Sequence, residues 1–266
     1  MKRYFVELLE KVSGFEVLKE WRKVHLLGMA ELRGRFARSR LGQLWVSLSM
    51  LFNICIVGLV WSVIWKMPVA KYLPYVGMGH IIFSFVSQTI NESSGIYVTN
   101  ARLYINQPLS LSISVFAHVY KNVIVMLYNL PTFVLLFVLS PYTSMHINGY
   151  FFLGIILTFC FVIVTSYMLS IICVRFRDLI QIVGVLMQAS FLVTPVMWEV
   201  SMVPQDLLKY VYLNPFACIV ESLRGPFFNT VPPLYAYVSL GLWSLAIFLM
   251  SCLIYKRFSR NLVFWM

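Results

Sequence analysis

The stretch Leu44–Trp65, LWVSLSMLFNICIVGLVWSVIW, is 22 residues long and contains no charged side chain. An α-helix needs about 20 consecutive, mainly apolar residues to cross the hydrocarbon core of a bilayer. Trp45, Trp61 and Trp65 stand near its ends, the positions where interfacial aromatic side chains are enriched. This stretch therefore predicts a transmembrane helix.

The composition of the whole chain agrees with a membrane protein. Of its 266 residues, 60% are hydrophobic and only 12% are charged, whereas soluble domains have about 45–50% and 25%. The net charge is +11. The basic residues flank apolar runs and form no stripe on a polar domain, so we expect them to meet anionic lipid headgroups and not nucleic acid.

The pattern predicts an all-α polytopic protein with six transmembrane helices. The predicted spans cover residues 44–65, 72–90, 119–139, 150–174, 179–198 and 234–255. Residues 1–43 are predicted to form a cytoplasmic amphipathic interface segment, because apolar side chains recur there at helical spacing among charged ones. Residues 256–266 are predicted to form a cytoplasmic tail.

Residues 199–233 are predicted to form a re-entrant region before the last span. They contain five prolines around two short helical patterns, about Gln205–Leu213 and about Phe216–Leu223, and neither pattern is long enough to cross a bilayer. Pro215, directly after Asn214, suits the first position of a helix. Backbone breaks of this kind must be covered by protein or reached by water.

The distribution of Lys and Arg predicts the orientation. Ten of the 21 basic residues precede Leu41. With six spans and both termini in the cytoplasm, 17 basic residues lie inside and four outside. Basic residues accumulate on the cytoplasmic side, so this arrangement is favoured over five spans.

Several kinds of chemistry have no motif in this sequence. It contains no GxxxxGK[ST], HExxH or GxSxG, the motifs of P-loop ATPases, zinc proteases and serine hydrolases. The predicted spans hold no central Asp or Glu, which proton- or sodium-coupled transporters commonly use. The chain is therefore predicted not to be an enzyme, and energy for uphill transport must come from another subunit.

Polar residues on the second span are candidates for a channel lining, because polar side chains at membrane depth face protein or water. These candidates are Tyr72, Tyr75, His80, Ser84 and Gln88. Aromatic belt or packing roles are the alternative for the two tyrosines, and a helix-facing role is the alternative for His80.

Two further segments are candidates for coupling or gating. Asn100–Pro108 suits a short helix that docks in a groove of a partner, with a solvated loop as the alternative. Glu221 and Arg224 have the i, i+3 spacing of a helical ion pair. This pair is a candidate outer gate, with a purely structural salt bridge as the alternative.

A set of motifs resembles the ABC-2 type permeases that export polysaccharides. The motifs are Glu31-Leu-Arg-Gly-Arg-Phe-Ala-Arg-Ser-Arg-Leu-Gly-Gln-Leu-Trp45, Asn100–Pro108, Arg175-Phe-Arg177-Asp178, Thr194-Pro195-Val196-Met-Trp198, Asn214-Pro215 and the tail Tyr255–Trp265. The tail is similar to the O-antigen branch of the family. Met50 departs from the pattern, since many relatives have proline after the tryptophan.

The resemblance implies a homodimer that works with two copies of a cytoplasmic ABC ATPase in the bacterial inner membrane. ATP and Mg would be bound by that partner, and this chain would need no cofactor or metal. The implied substrate is an undecaprenyl-linked O-antigen polysaccharide, with capsular polysaccharide or teichoic acid as alternatives, and a membrane enzyme acting on lipid-linked sugars as a more distant one.

The resemblance also implies roles for individual residues. The coupling helix would contain Asn100, Arg102, Leu103, Asn106, Gln107 and Pro108. Arg175, Arg177 and Asp178 would form a cytoplasmic turn.

Overall fold

The computed structural model describes residues 19–36, 40–100, 111–138, 140–143, 146–258 and 262–265. This part of the chain consists of helices joined by turns and contains no strand. The α-helices are α1 (Trp21–Phe36), α2 (Leu44–Ile64), α3 (Val69–Ser94), α4 (Ile96–Thr99), α5 (Leu111–Leu127), α6 (Leu130–Val138), α7 (Gly149–Arg175), α8 (Asp178–Val193), α9 (Leu208–Val211), α10 (Pro215–Arg224), α11 (Leu234–Phe258) and α12 (Leu262–Trp265). Short 3₁₀ helices cover Val200–Met202, Gln205–Leu207 and Gly225–Phe227.

Five helical segments within the described ranges are long and apolar enough to cross a membrane. They are α2, α3, α5 together with α6, α7 and α11. One further helix, α8, is apolar but has only 16 residues and is about 24 Å long at 1.5 Å per residue, which is shorter than the hydrocarbon core of about 30 Å. The described residues are therefore those of a polytopic helical membrane protein with five candidate spans and one short apolar helix.

Helix α3 lies at the centre of the fold. It packs against α2, α5, α7, α8 and α10. Within its most apolar 18 residues 61% are buried, compared with 17% for α2. Its polar residues give it the lowest mean hydropathy of the five candidate spans. Because other helices bury most of it, the prediction that this helix faces the interior of the protein is confirmed.

Two helix ends differ from the predicted boundaries by five residues or more. The third predicted span begins at residue 119, whereas α5 begins at Leu111; Ser112 and Ser114 look like loop residues by composition but are buried in the helix. The fifth predicted span continues to residue 198, whereas α8 ends at Val193. Pro195 explains this end, because the residue before a proline disfavours helical backbone.

The third span is interrupted at Tyr128 and Asn129, between α5 and α6. Pro131 causes the interruption, because it has no N–H to donate to the carbonyl of Leu127. Ser47 of α2 donates a hydrogen bond from Oγ to the Tyr128 carbonyl, and the Thr132 hydroxyl donates to the Ser47 carbonyl at 3.1 Å. The break is thus joined to α2 instead of facing lipid.

Helix α10 begins as the sequence predicts. Pro215 occupies its first turn, and the side chain of Asn214 accepts a hydrogen bond from the backbone N–H of Phe216 at 3.0 Å. An asparagine cap followed by proline is a favourable helix start. That residues 199–233 re-enter the membrane stays a prediction.

Helix α1 packs closely on α5 through Gly28. A Cβ atom added at this position would lie 2.8 Å from the backbone carbonyl oxygen of Ala117 and 2.9 Å from Cδ1 of Tyr120. The backbone of α5 has no freedom to move away from this contact without separating the two helices. Glycine therefore sets the distance between α1 and the spanning helices.

Gly28→Ala is expected to destabilise the protein by about 1–3 kcal/mol, the usual cost of overpacking. The matched control is Gly34→Ala on the same helix, where no heavy atom lies within 4 Å of the added Cβ. The control is expected to be neutral or stabilising by up to about 1 kcal/mol, because alanine favours helix. The unfolding midpoint of the purified protein in detergent measures both, and equal midpoints for the two variants would contradict this packing.

Candidate functional site

A buried arginine holds together three parts of the chain at one end of α3. Arg224, in the last turn of α10, is 1% exposed. Its Nη2 lies 2.6 Å from the carbonyl oxygen of Pro195 and 2.6 Å from the hydroxyl of Tyr75, and Nη1 lies 3.5 Å from the carbonyl oxygen of Val196. Glu221 accepts a further hydrogen bond from Nη2.

The surroundings of the guanidinium are shaped to receive it. Its Cζ lies 3.6 Å from the centroid of the Tyr75 ring, a cation–π geometry that gains strength when desolvated. A Cβ added at Gly79 would lie 2.8 Å from Nη1, so α3 admits the guanidinium only because this position is glycine. The predicted pairing of Glu221 with Arg224 exists; its role as a gate stays a prediction.

The segment after α8 is fastened to α3 by further contacts. The hydroxyl of Tyr72 donates to the carbonyl of Met197, and that of Tyr75 lies 3.4 Å from the carbonyl oxygen of Trp198. Lys71 and Glu199 form an ion pair at 3.2 Å. The two tyrosines, predicted to line a channel, thus anchor a loop.

A cavity of about 510 Å³ lies between α2, α3 and α5. Three of the predicted channel-lining residues, His80, Ser84 and Gln88, contribute to its wall. The other polar side chains that line it are Arg35, Ser49, Asn53, Asn122 and Asn129. We call this the polar cavity.

A cluster of charged side chains joins α1, α3 and α5 at the opposite end of α3 from Arg224. Nζ of Lys121 lies 2.8 Å from Oε2 of Glu92 and 3.3 Å from Oε2 of Glu31. The ring nitrogens of His118 lie 3.5 Å from Glu92 and 3.6 Å from Glu31. We call these four residues the ionic cluster.

The ionic cluster is largely removed from solvent, and its neighbours complete its hydrogen bonds. His118 and Lys121 are 3% and 8% exposed. Gln88 donates to Glu92 at 2.8 Å, and Asn100 donates to Oε1 of Glu31 at 3.3 Å. The interface helix α1 is therefore linked to the first residue of the predicted coupling helix.

The ionic cluster was not identified from the sequence, because the carboxylate partners of Lys121 lie 29 and 90 positions away in the chain, at Glu92 and Glu31. The available signal was the i, i+3 spacing of His118 and Lys121 at the start of an apolar run, because charges near a span need partners.

The structure describes only some of the remaining predicted site residues. Arg102, Leu103, Asn106, Gln107 and Pro108 lie outside the described residues. Arg175, Arg177 and Asp178 are exposed where α7 ends and α8 begins. The guanidinium of Arg175 lies 5.0 Å from the ring centroid of Trp265 in α12, a contact between the turn and the tail.

Comparison with known proteins identifies the class. The family model of ABC-2 type transporters matches residues 22–228, and the chain belongs to this family of transporter membrane domains. The resemblance drawn from its motifs is thereby confirmed.

Individual relatives are named for polysaccharide export. The chain is 25% identical to the Polysialic acid transport protein KpsM of Escherichia coli over 242 residues, which cover 89% of this chain and 90% of the relative. It is 23% identical to the O-antigen export system permease protein RfbA of Klebsiella pneumoniae, over 79% of this chain and 81% of the relative. A Myxococcus xanthus protein of the same name is 21% identical over 75% of this chain and 77% of the relative.

Arg224→Met is expected to destabilise the protein by about 3–5 kcal/mol, because it leaves a buried carboxylate without its partner. It also removes the donors that the carbonyls of Pro195 and Val196 use. The control Lys209→Met removes an exposed cation from the same region and should change stability by less than about 0.5 kcal/mol. Unfolding midpoints in detergent measure the difference, and similar losses in the two variants would refute the anchoring role.

The ionic cluster should make stability depend on pH through Glu31. Burial raises the pKa of this carboxyl, but the contact with His118 and the positive charge of Lys121 outweigh burial, and the pKa lies below its ordinary value of 4.5. A carboxyl with a lowered folded-state pKa stabilises the fold above its unfolded-state pKa, and this stabilisation disappears as the pH falls through the lowered value.

The measurable quantity is the difference in unfolding free energy between the wild type and Glu31→Gln. We expect this difference to shrink as the pH falls below the ordinary carboxyl pKa of 4.5. The titratable groups around Glu31 are His118 and Lys121 on α5 and Glu92 on α3. A difference that grows as the pH falls below 4.5 would have the wrong sign for this pairing.

Proposed function

We propose that this chain is the membrane-spanning permease subunit of an ATP-driven exporter of a lipid-linked surface polysaccharide. The observation that carries the proposal is the ABC-2 match over residues 22–228 together with relatives named for polysialic acid transport and O-antigen export. We propose that a separate subunit binds ATP and Mg, and the absence of a Walker A motif from this sequence supports this proposal.

Within this function, we propose O-antigen on an undecaprenyl carrier as the substrate, as the motifs of the tail imply. The specific observation in favour of capsular polysaccharide is the similarity to KpsM, which extends over 89% of this chain. The two polymers share a polyhydroxylated chain on a lipid anchor, so the same membrane path suits either.

The proposed assembly is a homodimer with two ATPase subunits in the bacterial inner membrane and with both termini cytoplasmic. In this orientation the ionic cluster lies on the cytoplasmic side, where the ATPase would dock. A push on α1 or on residues 100–108 would reach α3 and α5 through partly buried ion pairs. Rigid contacts of this kind can carry motion from the ATPase into the spanning helices.

The direct test uses proteoliposomes that contain the permease with or without its ATPase partner. Export of a lipid-linked polysaccharide should need both proteins and ATP. Copurification of an ATP-hydrolysing subunit with the tagged permease is the accompanying biochemical result. Export by the permease alone would contradict the proposal.

Glu31→Gln is expected to lower export per ATP hydrolysed by roughly tenfold, within the usual range of coupling energies between sites. The variant weakens the link from α1 to α5 and to Asn100 while it leaves the spanning helices unchanged. The matched control is Glu20→Gln, which removes an exposed pair with Lys23 at 2.8 Å that is worth little. Parallel assays of ATP hydrolysis and export separate coupling from assembly, and equal export by the two variants would exclude this route.

A further inference from the structure

A second cavity lies next to the polar cavity, and its character is opposite. It has a volume of about 330 Å³ and is bounded by α3, α5, α6, α7 and the end of α10. Its lining is almost entirely hydrocarbon, from residues such as Ile82, Phe133 and Ile155. We call it the apolar cavity.

The two cavities share part of their wall. Phe85, Met126 and Asn129 line both of them. Met126 is unbranched and flexible, so it can change rotamer without strain. A single elongated ligand can therefore place one end in each cavity.

The polar cavity has unused hydrogen-bonding capacity. Nδ1 of His80, Oδ1 of Asn122 and Oδ1 of Asn129 are buried without a hydrogen-bond partner. Asn122 and Asn129 are 2% and 4% exposed. Buried polar atoms of this kind are normally satisfied by water or a ligand, and the three residues that carry them line this one cavity, so it suits a polar group and not a hydrocarbon chain.

The charged residues that line the polar cavity indicate which kind of headgroup it would bind. Its described lining residues include no Asp or Glu and only one permanently charged group, the guanidinium of Arg35. This side chain is 42% exposed and lies 3.8 Å from Glu92, so it stands at the rim on the side of the ionic cluster. Arginine is well suited to binding phosphate.

The relative position of the two cavities matches the orientation of a lipid. On α3 the polar cavity uses residues 80–88 and the apolar cavity residues 78–85. On α5 and α6 the corresponding ranges are 122–129 and 123–133. The apolar cavity thus extends farther from the ionic cluster, as the chain of a lipid extends away from a headgroup on that side.

We propose that the two cavities form one binding site for an amphiphilic lipid with a phosphate-bearing headgroup. The headgroup occupies the polar cavity, with its phosphate towards Arg35, and the hydrocarbon chain passes Met126 into the apolar cavity. The site lies within one protomer. Its assignment to the cytoplasmic leaflet rests on the proposed function.

Two sources supply this chemistry: a polyisoprenyl phosphate, the type of carrier expected for the substrate, and an ordinary glycerophospholipid. The test uses purified protein in nanodiscs of phosphatidylethanolamine and phosphatidylglycerol. One arm adds undecaprenyl phosphate with a photoreactive group on its chain, and the other adds phosphatidylglycerol carrying the same group on its acyl chain. Mass spectrometry maps the labelled residues.

The expected result is labelling concentrated on residues of the apolar cavity, such as Phe133 and Ile155. Met126→Trp places a larger side chain in the shared wall and should reduce that labelling by roughly tenfold, which corresponds to about 1.4 kcal/mol of binding free energy. The matched control Leu245→Trp changes an exposed residue of α11 and should leave the labelling unchanged. Labelling spread over the exposed faces of α2 and α11, or undiminished in Met126→Trp, overturns the proposal.

Asn129→Leu provides a second variant that keeps the number and branching of the side-chain heavy atoms. It removes the amide shared by the two cavities and is expected to weaken labelling severalfold even if Met126→Trp fails to fold. Unfolding midpoints verify that each variant is folded. Retained labelling in a folded Asn129→Leu protein counts against the polar cavity as the headgroup site.

The two arms identify the source of the lipid. Stronger cavity labelling by undecaprenyl phosphate supports a carrier-lipid site, whereas equal labelling by phosphatidylglycerol supports a site for bulk phospholipid and overturns the carrier assignment. The assay contains neither ATPase nor glycan. Failure of an ATPase to copurify would therefore refute the proposed function and leave the lipid site standing. Failure to label the apolar cavity would refute the lipid site and leave the proposed function standing.

Discussion

The fold depends on how the backbone carbonyl groups at broken helices find hydrogen-bond partners. In a bilayer no water is available to satisfy such groups away from a cavity. The break at Pro195 leaves carbonyls without helical donors, and Arg224 supplies N–H groups to Pro195 and Val196. The break before Pro131 is satisfied in the same way by Ser47. Arginine suits the first role because its guanidinium carries five donors and stays charged.

These contacts explain why α3 is central. At one end it carries Gly79 and Tyr75, which receive Arg224, and at the other end it carries Glu92, which pairs with Lys121. Between the two ends it supplies the wall common to the polar and apolar cavities. The helix that hydropathy marks as the weaker span is thus the one that the other helices surround.

The two boundaries that sequence reasoning misplaced most have different causes. Hydropathy treats His118 and Lys121 as polar residues outside a span, but Glu31 and Glu92, which are distant in the chain, pair with Lys121 and contact His118. The helix therefore starts at Leu111. At the other boundary, composition let the fifth span run through Pro195, where the backbone conformation before proline ends it.

The sequence by itself determined the membrane environment, the helical class and the approximate position of the spans, because long apolar runs and the placement of basic residues are local properties. It also determined the pairing of Glu221 with Arg224, whose spacing on one helix brings them together. Only the tertiary structure decided which side chains meet across helices: the ionic cluster, the carbonyl partners of Arg224 and the two cavities. Their members are far apart in the chain, and a hydrophobicity pattern carries no information about which polar groups approach one another when helices pack.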